Sequence, residues 1–298
     1  MATTDFFNRT YSRRGFIGIG AAAVASIALA GCSQGGSSDS STGSEGSSGA
    51  AAAPDKIIIA CLAREEPDIR WLADKLAGTY TIEPQVFGDN NAINEATYDG
   101  SVAANYFQNR KYLEAWNESK GTDLEFYGDP VFYTRDILVS RKYKSIDDFE
   151  DGAIVLIAND NTNRARELKL LEKAGLIKLN PDAELPSVFD ITENPKNLDI
   201  KEVDPRSRVG AFPDADAMVA PSITVFQMND PEVTVDSALA AEEPEAFTQY
   251  GGTGLVIKPE NESWEWLDAA LEQFESQEFA DFLKETYAGA KVPASEVK

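Results

Sequence analysis

The stretch Ala153-Ile154-Val155-Leu156-Ile157, followed by Ala158-Asn159-Asp160-Asn161-Thr162-Asn163-Arg164-Ala165-Arg166, decides the fold class of this chain. Five consecutive apolar residues read as a buried strand, and the polar run after them hands over to a helical pattern across Thr162–Ala174, with Gly175 as its stop. A strand that feeds a helix through a short polar loop is the unit from which parallel sheets with crossover helices are built. Working outward, β-type runs at Lys56–Leu62, Glu83–Phe87, Ile137–Ser140, Ala217–Ala220 and Gly254–Lys258 alternate with helical patterns. The helices are expected at Asp68–Ala77, Asn109–Ser119, Ser263–Phe274 and Gln277–Tyr287. The class is therefore α/β. Roughly 245 residues from Pro54 onward are enough for two lobes, each with its own core, and they contain no internal repeat.

The first turn of the central helix carries Arg164 and Arg166. Cations are disfavoured at that end, where unpaired N–H groups and the helix dipole already place positive charge. An arginine set against this preference makes sense if helix end and guanidinium bind one anion together. Arg164 has Glu167 three residues on, whereas Arg166 faces Lys169 and Leu170 and lacks an acidic partner on its own helix. Two readings stand for Arg166: a clamp for a ligand carboxylate, or one half of a tertiary salt bridge. Ligands in open α/β sheets bind beyond the carboxyl ends of strands, which favours the clamp.

The beginning of the chain has a different character. Ser12-Arg13-Arg14-Gly15-Phe16-Ile17 is a twin-arginine export pattern, followed by a Gly/Ala-rich apolar stretch and Leu29-Ala30-Gly31-Cys32. That order is expected of an exported lipoprotein, with residues 1–31 removed and Cys32 lipidated. Residues 33–53 are nearly all Ser, Gly and Ala, a leash with an r.m.s. span of about 25 Å from the scaling of flexible linkers. A lipid anchor and a leash place a folded domain on the outer face of a membrane, within reach of a membrane-embedded partner.

Composition prunes the chemistry. The formal net charge of −23 repels nucleic acid and otherwise confers solubility. There is no histidine, and Cys61 is the only cysteine besides Cys32, which excludes Ser-His-Asp and Cys-His catalysis, His-ligated zinc and an intrachain disulfide. Cys61 ends a run that reads as a buried strand and is expected to act as a small core residue. No acidic residue sits in a recognisable catalytic setting, so the chain is read as a binding protein and not an enzyme, and no cofactor or metal is called for. A second cluster, Asn105-Tyr106-Phe107-Gln108-Asn109-Arg110-Lys111-Tyr112, crowds aromatic and amide side chains at a strand-to-helix transition. Such a stretch serves either as core or as the wall of a ligand cleft.

Five runs together resemble the methionine-binding lipoproteins of ABC importers, the MetQ/NlpA family. They are Asp99–Gln108, Tyr143–Gly152, Asn159–Arg166, Leu170–Leu179 and Asp190–Leu198, and the likeness extends over about residues 56–298. The resemblance implies a two-lobed periplasmic-binding-protein-like fold of type II, closing about a hinge over its ligand. The expected organisation is a signal peptide (1–31), a lipidated Cys and linker (32–54), one lobe of 55–138 plus 251–298, and a second of 139–250. It also implies partners: an amino-acid ligand, with methionine favoured, and a permease driven by an ATPase. The protein is expected to be a monomer, anchored to the cell membrane by its lipid and facing away from the cytoplasm. The alternatives are the same fold binding a different small carboxylate, or a surface or sensor lipoprotein without a transport role.

The family motif maps its carboxylate clamp onto Arg166 and its ligand-packing aromatic onto Phe107, with Asn163 lying in the same motif. Elsewhere the pattern departs. Asn109 stands where the family has His, and Asn90 where it has a pocket tyrosine. The family's two amides, whose carbonyl oxygens accept from the ligand ammonium, are matched by Pro221-Ser222 and Gly252-Thr253, so the hydroxyls of Ser222 and Thr253 are the expected substitutes. The ligand-binding candidates are thus Arg166, Phe107, Asn109, Asn90, Asn163, Ser222 and Thr253, with Cys32 for lipidation.

Overall fold

The computed structural model describes residues 53–297. The expected export signal, Cys32 and the expected Ser/Gly/Ala leash lie outside the described residues. Strands β1 (Lys56–Cys61), β2 (Thr81–Val86), β3 (Ala104–Gln108) and β4 (Glu125–Tyr133) build a first sheet. The chain then crosses through Thr134 and Arg135 into a second sheet with β5 (Asp136–Ser140) and β6 (Ile154–Ala158). A small ribbon, β7 (Lys178–Leu179) with β8 (Ile191–Glu193), precedes β9 (Asp199–Val203), β10 (Ala217–Pro221) and β11 (Ala240–Ala241) of the second sheet. β12 (Thr253–Ile257) and β13 (Val292–Pro293) return to the first. The orders are β13-β4-β12-β3-β1-β2 and β11-β5-β10-β6-β9. Two sheets joined by two crossings make the two-lobed α/β fold.

Neither sheet is purely parallel, contrary to the pattern expected from the strand–helix alternation. β1 pairs parallel with β2 and β3, and β6 pairs parallel with β9 and β10. The strands next to the crossings, β4, β5 and β12, pair antiparallel with their neighbours. A chain that leaves a sheet and later returns to it does so without the right-handed helical crossover that enforces parallel order. β5 begins at Asp136 and all five of its residues pair with β10, so the passage between sheets falls a few residues before position 139.

Helices α1 (Glu66–Leu76), α2 (Asn90–Tyr98), α3 (Arg110–Lys120) and α4 (Asn161–Lys173) each follow a strand end. Three of them start on a local side-chain cap. Asp89 accepts from the amides of Asn91 and Ala92, Asn109 from Tyr112, and Asp160 from Asn163, all at 2.9–3.0 Å. Such caps satisfy orphan N–H groups and contribute about 1 kcal/mol each. Short helices α5 (Arg208–Ala211), α6 (Ser222–Gln227) and α7 (Pro244–Thr248) flank the crossing region, and α8 (Glu265–Phe274) and α9 (Gln277–Tyr287) cover the first sheet. The sequence pattern gave no signal for α2, whose apolar positions are few, nor for β4, which is interrupted by Gly128 and Pro130.

One apolar cluster runs through both lobes, from Ile57, Ile59 and Trp266 on the first sheet to Met218, Ala220 and Val225 around the second. A separate cluster of Leu138, Val155, Leu168 and Leu171 fills the space between α4 and the second sheet. Cys61 is fully buried in the first cluster, and burial foremost, with Glu65, Glu66 and Asp68 nearby, pushes its thiol up to about 12. It is a core residue, as its strand suggested. The return crossing depends on Gly252, where an added Cβ would lie 2.6 Å from the Phe132 carbonyl oxygen and 2.7 Å from Pro130 Cβ. Backbone cannot yield there as a flexible side chain can. Gly252→Ala is expected to cost about 1–3 kcal/mol by overpacking, measured by urea denaturation against the parent chain.

Candidate ligand-binding cleft

A cavity of about 330 Å³ lies where the carboxyl ends of the first sheet's strands meet the crossing region and the second sheet. Its first wall comes from Arg64 and Glu65 after β1, Asn90 at the start of α2, and Phe107, Gln108 and Asn109 at the end of β3. Tyr112, Phe132, Thr134 and Thr253 continue that wall. Facing them are Pro221 at the end of β10 and Ile223 and Thr224 in α6. Strand ends are where an α/β sheet exposes backbone groups and loop side chains to a ligand.

The aromatic part is rigid. Phe107 is buried with Ala60, Ile93 and Val102 behind it, and Tyr112 meets it edge-on with ring centroids 5.9 Å apart. Behind the cleft, Gln108 is locked to Asn94 by a reciprocal amide pair at 2.6 and 3.1 Å. Its Nε2 also donates to Asn105 Oδ1, and Asn105 donates to Thr97 and Asn94, so the buried amides satisfy one another. A closed network of this kind fixes β3 against α2 and leaves those amides little freedom to turn toward a ligand. The Asn109 carbonyl oxygen is engaged in capping α3, which leaves its NH₂ group for the cleft.

Four of the sequence candidates, Asn90, Phe107, Asn109 and Thr253, therefore meet in one cavity. Three lie elsewhere. Ser222 is fully buried and donates to the Ala290 carbonyl at 2.7 Å, while its own amide donates to Arg135. Its hydroxyl ties α6 to the C-terminal segment, which corrects the expectation that it faces a ligand. Asn163 turns back to Asp160, with Nδ2 at 3.0 Å from the second carboxylate oxygen, in an exposed helix-start contact. Arg166 does not line the cavity but sits one contact behind it, donating through Nη2 to the carbonyl oxygen of Thr134 at 3.2 Å.

Arg166 is the centre of a buried charge cluster. Its Nε donates to Glu242 Oε1 at 2.7 Å, its Nη2 donates to Glu242 Oε2, and Asp136 lies 3.2 Å from Nε. The Tyr250 ring covers the guanidinium with its centroid 4.6 Å away. The tertiary salt bridge that the sequence left open is thus present, supplied from β5 and from the segment after β11. Among the described residues no partner is found for Nη1, so one edge of the fork is left over from a bidentate pair. Arg164 pairs with Glu202 at 3.3 Å and Asn161 at 2.9 Å and not with Glu167. Glu167 is taken up inside the lobe by Arg208 at 2.8 Å and by the Ala158 amide at 2.6 Å. Burial drives the Glu167 carboxyl up to about 8, and Asp136 to about 6, against the pull of the adjacent arginines.

Sequence reasoning overlooked Arg64, Glu65 and Thr224 as cleft residues, whereas Gln108 and Tyr112 lay in the aromatic and amide run already read as core or cleft wall. A signal for the first two was available: Arg64-Glu65-Glu66 follows a buried strand's carboxyl end with two residues between and precedes Pro67 at a helix start. Nothing local singles out Thr224.

The arrangement holds an apolar wall, a few fixed polar groups and no nucleophile paired with a base, which suits capture of a small molecule. Comparison with known proteins agrees with it. The D-methionine-binding lipoprotein MetQ of Escherichia coli (strain K12) is 28% identical over 281 residues, covering 93% of this chain and 96% of that protein. The methionine-binding lipoprotein MetQ of Bacillus subtilis (strain 168) is 30% identical, covering 83% of this chain and 91% of that protein. The fold is similar to the crystal structure of the substrate binding protein of a methionine transporter from Streptococcus pneumoniae, with a TM-score of 0.62 and 28% identity. That match covers 81% of this chain and 96% of that one. The sequence pattern of the NlpA lipoproteins matches residues 57–295, and the chain belongs to that family.

Proposed function

We propose that the chain is a membrane-tethered solute-binding lipoprotein that captures methionine, or an amino acid of similar size, and delivers it to an ABC importer. The cavity between strand ends of the first lobe and α6 of the second carries this reading, because a ligand there touches both lobes. Contacts made only when both walls are present supply the differential affinity that favours closure. The names of the relatives support the ligand class. The export signal, lipidation at Cys32 and the leash of residues 33–53 supply the tether in this proposal. The lobes would comprise residues 55–138 with 251–298, and 139–250, with Thr134 and Arg135 at the outgoing passage.

Phe107 and Tyr112 would meet the ligand side chain and Asn90, Asn109 and Thr253 its polar rim. Arg166, one contact behind the cavity at Thr134, would reach the ligand carboxylate through the free edge of the guanidinium once the lobes move about the ligand. Glu242 and Asp136 would then act as the braces that orient the fork. A thermal-shift scan with L-methionine, D-methionine and a panel of amino acids and small carboxylates tests the assignment. Ligand at 100 times its dissociation constant stabilises a fold by about 2.7 kcal/mol. Arg166→Lys keeps a cation for Glu242 but loses the planar fork, and is expected to weaken binding by about 1.5–3 kcal/mol, on the order of ten- to a hundredfold. Unchanged affinity in Arg166→Lys would reduce Arg166 to a structural ion pair, and no shift with any compound would sink the transport reading.

A further inference from the structure

Glu65 is the N-terminal cap position of α1 and lines the cleft, with 1% of its surface exposed. Its Oε1 accepts from Arg64 Nε at 2.6 Å, whereas Oε2 is buried and has no hydrogen-bond partner. A buried carboxylate oxygen left unpaired costs more than any neutral group in the same position, so this atom calls for a donor. The protein does not supply one. Lys291, a buried cation that acts on Glu65, is held by Asp68 at 2.6 Å, and Arg64 is partly exposed to solvent, where its compensating charge is screened. The other polar groups of the cleft do not duplicate the role. The Asn109 oxygen caps α3, the Gln108 amide is locked to Asn94, and Pro221 offers no side-chain acceptor. Asn90, Tyr112, Thr134, Thr224 and Thr253 add acceptor oxygens, but all of them are neutral, whereas a carboxylate supplies the charge that an ammonium calls for.

We propose that Glu65 is the specificity-determining acceptor of this cleft, binding a ligand's primary ammonium group through Oε2, so that the site selects primary-amine cations. The inference rests on the proposed amino-acid capture and names the group that recognises the amine end. An ammonium brings both the missing donor and the missing charge, and its hydrogen bond to a carboxylate in a water-poor cleft is of the strong, charge-assisted kind. Burial, set against Arg64 and Lys291, holds the free carboxyl up to about 7, so part of the site's readiness depends on a cation arriving.

The test is calorimetric titration of the full chain in detergent, with Glu65→Gln and Glu65→Asp beside the parent. Three probes are used to millimolar concentration: L-methionine, its des-amino analogue 4-(methylthio)butanoate, and the amine 3-(methylthio)propylamine. The expected result is a ten- to hundredfold loss of affinity for methionine and for the amine in Glu65→Gln. 4-(Methylthio)butanoate should bind Glu65→Gln as it binds the parent, and Glu65→Asp should retain part of the preference for the amine. Equal losses for methionine and 4-(methylthio)butanoate would assign Glu65 a structural role and overturn the proposal, as would methionine binding within twofold of the parent. If the parent chain binds no amino acid at all, the capture reading itself fails and this inference goes with it. That outcome is distinct, because it appears without any substitution.

Discussion

Lys291→Ala should lower the unfolding free energy by about 3–5 kcal/mol, the range seen when one partner of a buried ion pair is removed. Lys291 is wholly buried although it lies seven residues from the end of the chain. Its Nζ donates to Asp68 Oδ2 at 2.6 Å and to the Arg64 carbonyl at 3.1 Å, and it packs over the rings of Tyr287 and Phe132 at 3.8 and 4.4 Å. Burial pulls its ammonium down from the ordinary lysine value, and the same burial pushes Asp68 up, so each charge persists because of the other. Without the lysine, Asp68 keeps neutral hydroxyl partners such as Tyr287 at 2.5 Å but no cation, and must protonate or draw in water. Two ties of the C-terminal segment are lost together, one to Asp68 on α1 and one to the Arg64 carbonyl just before that helix. Lys291→Met combined with Asp68→Leu should recover most of the loss, because a well-packed apolar pair avoids the desolvation of both ions. Equilibrium urea unfolding of the two variants decides it. A single substitution costing under about 1 kcal/mol would mean that the pair is dispensable.

The second large effect is on pH. Burial raises Glu65 from 4.5 to about 7, Glu167 from 4.5 to about 8 and Asp136 from 3.8 to about 6. Between the unfolded and folded values of these groups the folded chain binds more protons than the unfolded chain, so stability falls as pH rises through that window. For Glu65 alone, the displacement corresponds to about 3 kcal/mol, at 1.36 kcal/mol per unit. Below the window the sign reverses. Asp99, Asp148, Asp190, Asp216 and Asp230 are held below the ordinary carboxylate value, chiefly by hydrogen bonds from Ser101, Ser145, Ser187, Ile154 and Arg141 respectively. Their contribution is lost as pH drops through their folded values. The net charge of −23 adds self-repulsion on the alkaline side. Maximum stability is therefore expected near about pH 5, with Tm declining toward pH 8. Melting at constant ionic strength from pH 4 to 9 checks this, and a Tm that climbs from pH 5 to 8 would contradict it.

Arg166 shows where sequence reading succeeds and where it stops. That it has no acidic partner on its own helix follows from spacing, because helical neighbours are fixed at three and four residues. That Glu242, 76 residues away, and Asp136 close around it does not follow, since the chain offers 50 carboxylates and only the packing of β5 and β11 beside α4 selects two. Ser222 makes the same point in reverse. A hydroxyl that the family pattern sets among the ligand contacts is instead turned to Ala290, on a segment that returns to it only in three dimensions.

The amino-acid sequence by itself determined the α/β class, most strand and helix cores, and the family likeness. Its hold on element starts was local: Asp89, Asn109 and Asp160 cap helices through atoms two or three residues away. The tertiary structure alone decided the mixed strand order, the assembly of Asn90, Phe107, Asn109 and Thr253 around one cavity, and the presence of Glu65 in its wall. The physical reason is range. Periodicity and capping act over a few residues, whereas the pairing of buried charges and the closing of a cavity depend on which distant segments exclude water together.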